Sequence, residues 1–134
     1  MQSMKIDNIL LDNLTTQAKE SPRLRMNLDL RTTDADSSQR MLNAIEPGSV
    51  VPIPRHQKTS ETMVVLRGRV VEEYYSSAGV LEASYELAAG GPVFALNIPA
   101  GQWHTLRALE SGTVILEMKD GAYEPIGAED VMER

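Results

Sequence analysis

Cysteine is absent from the 134 residues, which excludes disulfides, thiolate metal sites and cysteine nucleophiles. Any metal bound by this chain must therefore be held by nitrogen and oxygen donors. No run of about 18 apolar residues is present, so no stretch reads as a membrane span. The N-terminus lacks the basic start, apolar stretch and small-residue cleavage site of a secretory signal, and cytoplasmic residence is the expectation. Basic charge is in short supply: 13 Lys and Arg against 19 Asp and Glu leave a net charge of −6. That balance argues against a binder of nucleic-acid backbones. It leaves small anions open, because local charge can oppose the global sign. Phosphate loops of the Walker and Rossmann types are missing, and so is a Gly-x-Ser-x-Gly nucleophile elbow. The pair Gly90-Gly91 reads as a turn between strands.

What is there is patterned. Ile6, Ile9, Leu10, Leu14 and Ala18 recur at three- and four-residue steps and predict one short helix, stopped by Ser21-Pro22. From Arg23 the period changes to two. Leu24, Met26, Leu28 and Leu30 take one face of a strand, while Arg23, Arg25, Asn27, Asp29 and Arg31 take the other. Further short strands are expected near Arg40–Ile45, Ser49–Ile53, Thr62–Leu66, Arg69–Tyr75, Val80–Leu87, Val93–Ile98, Trp103–Leu109 and Thr113–Lys119, separated by Gly- and Pro-rich turns. Strands so short and evenly spaced suggest an all-β barrel or sandwich. The expected organisation is a helix over 1–22 packed on a barrel over 23–120, with a tail over 121–134 that caps the domain or frays.

The chain has only two histidines. His56 stands five residues before Glu61, and His104 follows far along the sequence. Strands on adjoining walls of a barrel can bring these three to one face. Two imidazoles and a carboxylate suit a divalent ion such as Fe, Mn, Zn or Ni and leave positions open for water or substrate.

At this point the sequence resembles a known family. Gly48, His56, Glu61 and Gly68 match the first cupin motif, G-x5-H-x-H-x4-E-x6-G, and Pro99-x-Gly101-x-x-His104 matches the core of the second. Further segments resemble WbuC-type cupins: Ser21 to Arg25, Gln39 to Ala44, Glu46 to Gly48, Ser60 to Gly68 and Ile98 to Thr105. The likeness runs over about residues 10 to 125. It implies a single cupin, a jelly-roll barrel preceded by one short α-helix. It also implies metal binding at His56, Glu61 and His104, a place in bacterial surface polysaccharide metabolism, and a homodimer. One departure stands out: Pro54 occupies the position of the motif's first histidine, which leaves three donors at most.

Other residues enter the reading with a plain alternative beside each. Arg23, Arg25, Arg40 and Asn43 form a candidate site for a small anionic ligand at the barrel mouth, or a solvated strand face. Glu117 can serve as a general base lining the pocket, or be an exposed or paired glutamate. Trp103 is expected on the face opposite His104, and at most one of Tyr74 and Tyr75 faces inward. Three functions stay open: a metal-dependent enzyme on a sugar-like substrate, a non-catalytic or metal-free cupin that binds a small metabolite, and a structural partner in a biosynthetic complex.

Overall fold

The computed structural model describes residues 2–132. Helix α1 spans Asn8–Glu20 and begins where Asp7 can cap it, its carboxylate accepting from the Leu10 amide at 3.1 Å. It ends at Ser21, as the Ser-Pro pair predicts. Ten strands follow: β1 Arg25–Asp29, β2 Ser38–Ile45, β3 Ile53–Pro54, β4 Glu61–Arg67, β5 Arg69–Tyr75, β6 Leu81–Ala88, β7 Ala95–Ile98, β8 Trp103–Ala108, β9 Thr113–Asp120 and β10 Val131–Met132. All pairings are antiparallel. One sheet has the order β1-β2-β9-β4-β7, a second β6-β5-β8, and a two-stranded ribbon joins β10 to β3.

Strand register divides the side chains into two cores. Ile45, Ile115, Met63 and Val65 project from the five-stranded sheet and meet Val70, Leu87, Leu106 and Ala108 of the three-stranded sheet, filling the barrel. On the outer face of the larger sheet, Leu42, Ala44, Val114 and partly buried Met26, Leu28 and Leu30 pack under Leu11, Leu14 and Ala18 of α1. The period-two leucines of β1 therefore serve the helix, not the barrel lumen. Burying each such Leu or Ile stabilises the fold by about 1.5–3 kcal/mol. The inward face of the sheet is apolar at one end only. Towards the other end the inward register places Met41, Glu117 and Met63 in one row and Gln39, Lys119 and Glu61 in the next.

Two sequence expectations need correction. No strand forms over Ser49–Ile53. Only Ile53–Pro54 pairs, because Pro52 and Pro54 lack amide donors, and the Ser49 hydroxyl and Val50 carbonyl bond instead to the Arg23 carbonyl and the Arg25 guanidinium. The first strand starts at Arg25, since Leu24 adopts a left-handed turn (φ 56). The end of the chain, up to Met132, is docked: a 3-10 turn at Ala128–Asp130 leads into β10, which pairs with β3.

Candidate functional site

His104 sits near the start of β8, and β5 pairs with that strand so that Tyr74 lies opposite His104 and Glu72 opposite Leu106. Both Glu72 and His104 face the barrel interior just beyond its apolar core. His104 Nδ1 and Glu72 Oε1 share a hydrogen bond of 2.6 Å, and the Glu72 side chain is fully buried. The other Glu72 oxygen has no hydrogen-bond partner among the described residues. Burial pushes the Glu72 carboxyl up to about 7, against the hydrogen bond from His104. For His104, burial opposes protonation, but the bond to Glu72 and the charges of Glu72, Glu61 and Glu117 outweigh it and raise its pKa.

His56 lies in the loop after β3, not on a strand beside Glu61 as expected. Its carbonyl accepts the Gly101 amide at 2.7 Å, tying the first motif to the turn that delivers His104. Gly101 holds φ +84, a conformation that other residues rarely adopt. Burial first, then the nearby Lys119 charge, lower the His56 pKa to about 4, so its imidazole is neutral. Glu61 opens β4 and is buried. Strand register sets it opposite Lys119 of β9, whose Nζ lies 3.3 Å from Glu61 Oε1.

The fit to a divalent ion turns on separations. Two donors about 2.1 Å from one ion stand roughly 3.0–3.4 Å apart at right or tetrahedral angles, and up to about 4.2 Å when opposite each other. His104 Nε2 and Glu61 Oε2 are 3.8 Å apart, and the two imidazole centroids are 6.3 Å apart. Pro54 offers no donor, and the Lys119 ammonium already contacts Glu61. Among the described residues no group of three His, Asp or Glu side chains is disposed to hold a metal ion. The barrel gathers His56, Glu61 and His104 on one side, but they do not fit a resident metal as placed.

A cavity of about 1060 Å³ opens beside this cluster. His56, Glu117 and Lys119 line it from the barrel side, and residues 121–127 with Glu129 and Asp130 wall it from the tail. Three of its guanidinium groups are engaged by carboxylates: Arg31 with Asp29, Arg40 with Asp36 and Arg55 with Asp130. Lys58 is exposed at the rim and forms no ion pair among the described residues. Glu117 is pushed up to about 7, by burial first and then by the Glu61 charge, with Lys119 and a hydrogen bond from Asn43 acting the other way.

The expected anion cluster is not one site. Arg23 precedes β1 and is exposed, and Arg25 is bonded to the Val50 carbonyl at 2.8 Å. Asn43 is buried below the cavity beside Glu117. Arg40, three residues away on the same strand, lies on the opposite face and holds the Leu30 and Ser38 carbonyls. Trp103 packs under the Arg55 guanidinium, 4.6 Å from its ring centre.

Sequence reasoning missed Lys119, Glu72, Arg55 and Asp130. A charged pair at alternate positions, Glu117 and Lys119, in a strand otherwise apolar was the available signal for Lys119. Nothing local marked Glu72, whose partner lies 32 residues away.

Comparison with known proteins comes to the same fold. The family described as Domain of unknown function (DUF6016) matches residues 6–87. A search of curated proteins finds no match. Among solved structures, the capsular polysaccharide assembling protein CapF from Staphylococcus aureus superposes with a TM-score of 0.69 at 19% identity, over 85% of this chain and 33% of its own. Oxalate oxidase in complex with the substrate analogue glycolate gives 0.65 at 17%, over 95% and 67%. KdgF from Halomonas sp. gives 0.59 at 16%, over 77% and 84%. The chain spans about a third of CapF. At such identities the likeness shows the fold alone, an all-β cupin with an N-terminal helix.

Proposed function

The chain belongs to the family described as Domain of unknown function (DUF6016), and from that premise we propose that it is a small-molecule-binding cupin whose ligand is an anionic, sugar-like metabolite. One observation carries this reading: a cavity of about 1060 Å³, large enough for such a ligand, with Lys119 and neutral His56 on its barrel side and Lys58, without an ion pair among the described residues, at its rim. Lys58 supplies charge for a carboxylate or phosphate, and Asn27, Gln39 and Glu117 supply hydrogen-bonding groups for hydroxyls. The WbuC-type motifs, and the capsular polysaccharide assembly named for CapF, support a role in bacterial surface polysaccharide metabolism. Cytoplasmic residence and a homodimer belong to the same proposal. Exposed Val80, Leu81, Val93 and Phe94 beside strands β6 and β7 supply apolar surface for pairing.

The test is thermal unfolding of full-length protein in EDTA with glucose, glucuronate or UDP-glucuronate. A ligand that binds the native state raises the midpoint in proportion to ln(1 + [L]/Kd). Glucuronate and UDP-glucuronate are expected to raise it and glucose is not, and Lys58→Ala is expected to reduce the shift. Equal effects of all three sugars, or of none, contradict the reading.

An enzymatic version is favoured by one further observation. Glu117 lines the cavity with a carboxyl poised near neutrality, the condition for a group that both takes and returns a proton. In this version Glu117 removes a proton from carbon beside the ligand's carbonyl or carboxylate. Deuterium exchange from D2O into bound UDP-glucuronate, followed by NMR, tests it. Exchange that Glu117→Gln abolishes while binding persists supports the step, and exchange unchanged by that substitution contradicts it.

A further inference from the structure

We propose that Lys119 is the resident cation of this pocket, its ammonium standing against Glu61 in place of a divalent ion, so that the protein is a metal-independent version of its fold. The pairing is a property of the backbone. Glu61 and Lys119 are direct partners across β4 and β9, within a register that continues through Thr62, Met63, Val64 and Val65. Their side chains therefore share the inward face by construction, as cross-strand neighbours must. Both are largely enclosed, at 7% and 18% exposure, so each needs an opposite charge nearby. A divalent ion bound to Glu61 would sit beside an ammonium of like charge.

Two further features agree. Pro54 stands where the motif has its first histidine, and its backbone is committed to pairing with Val131 of β10. Among the described residues no group of three His, Asp or Glu side chains is disposed to hold a metal ion. Lys119 thus neutralises Glu61 from within the fold. The inference concerns the same pocket as the anionic-ligand reading but stands without it, because it is read out with metal ions alone.

The experiment compares full-length wild type with Lys119→Met, Lys119→Arg and the double variant Pro54→His with Lys119→Met. All are purified without added metal, checked for folding by circular dichroism, stripped with EDTA and titrated with Zn2+ and Mn2+ by calorimetry. Wild type and Lys119→Arg are expected to carry less than stoichiometric metal, bind neither ion tighter than about 10 μM, and unfold at the same temperature with and without EDTA. Removing the ammonium opens the carboxylate, so the double variant is expected to bind Zn2+ about 100-fold tighter than wild type, and Lys119→Met about tenfold tighter. If the double variant does not fold, Lys119→Met alone decides. One tightly bound metal per wild-type chain that disappears in His56→Ala overturns the proposal, and so does a folded Lys119→Met that binds Zn2+ no better than wild type. Glucuronate binding by the wild type in EDTA tests the function proposed above separately, whichever metal result is obtained.

Discussion

Glu72 is fully buried in the barrel. One of its oxygens is hydrogen-bonded to His104 and the other has no partner among the described residues, so a proton held there relieves the cost of burying a bare carboxylate. With a folded pKa near 7 and an ordinary value of 4.5, the native state binds more protons than the unfolded chain across that window. Stability is then full below pH 4.5 and falls as pH rises through 7, by on the order of 3 kcal/mol. Glu117 and His104, both raised, act in the same direction. His56 acts oppositely: its pKa near 4 removes stability as pH falls from 6.5, by on the order of 1 kcal/mol once solvent screening of this half-buried ring is allowed for. The sum predicts a lower urea midpoint at pH 8 than at pH 5.5. Glu72→Gln, which cannot titrate, is expected to narrow that difference. An unchanged difference in the variant would remove Glu72 from the explanation.

Elements show where the backbone tolerates no substitution and where it can open. Gly68 joins β4 to β5 at φ +81, and a Cβ there would lie 2.9 Å from the Thr113 Cα of β9. Gly68→Ala combines strain with a backbone clash and is expected to destabilise the protein by about 2 kcal/mol or more, read from the urea midpoint. Beyond β9, the tail is held by a few contacts. Asp130 accepts from Arg55 and Gln57, each at 2.7 Å, the Gln39 side chain donates to the Gly121 carbonyl, and Arg31 lies over the Tyr123 ring. Asp130→Ala is expected to speed amide hydrogen exchange across residues 121–132 while β2, β4 and β9 keep their protection. Uniform acceleration across the whole barrel would show instead that the tail is part of the global folding unit.

These elements were legible in the sequence to different degrees. Period-two and helical patterns located α1 and most strands because each reports a local alternation between buried and exposed positions. The short pairing of Ile53–Pro54 with Val131–Met132 carries no such period and was missed. The cluster of Arg23, Arg25, Arg40 and Asn43 failed for a different reason: three residues apart on one strand, Arg40 and Asn43 face opposite sides, as the strand period of two already implied.

Across the whole molecule, two cores share one sheet, and the polar end of the inner one is the candidate site. The motif residues His56, Glu61 and His104 were recognisable because their spacing survives in the chain. Their departure from a metal-holding arrangement depends on Lys119 facing Glu61 from 58 positions away, a contact that only β4–β9 pairing creates. The outer surface carries a second expectation. Phe94→Asp, at an exposed position beside β7, is expected to shift a homodimer towards monomer in light scattering coupled to size exclusion. A wild-type mass equal to one chain would exclude the dimer.

Ligand binding in the cavity between barrel and tail is what the proposed function requires above all. The most direct measurement is a nitrogen–proton NMR titration of the full-length protein with UDP-glucuronate in EDTA. Chemical-shift changes are predicted to centre on His56, Lys58, Glu117, Lys119 and residues 121–130. Changes confined to the helix-covered outer face, or no saturable change at all, would contradict it.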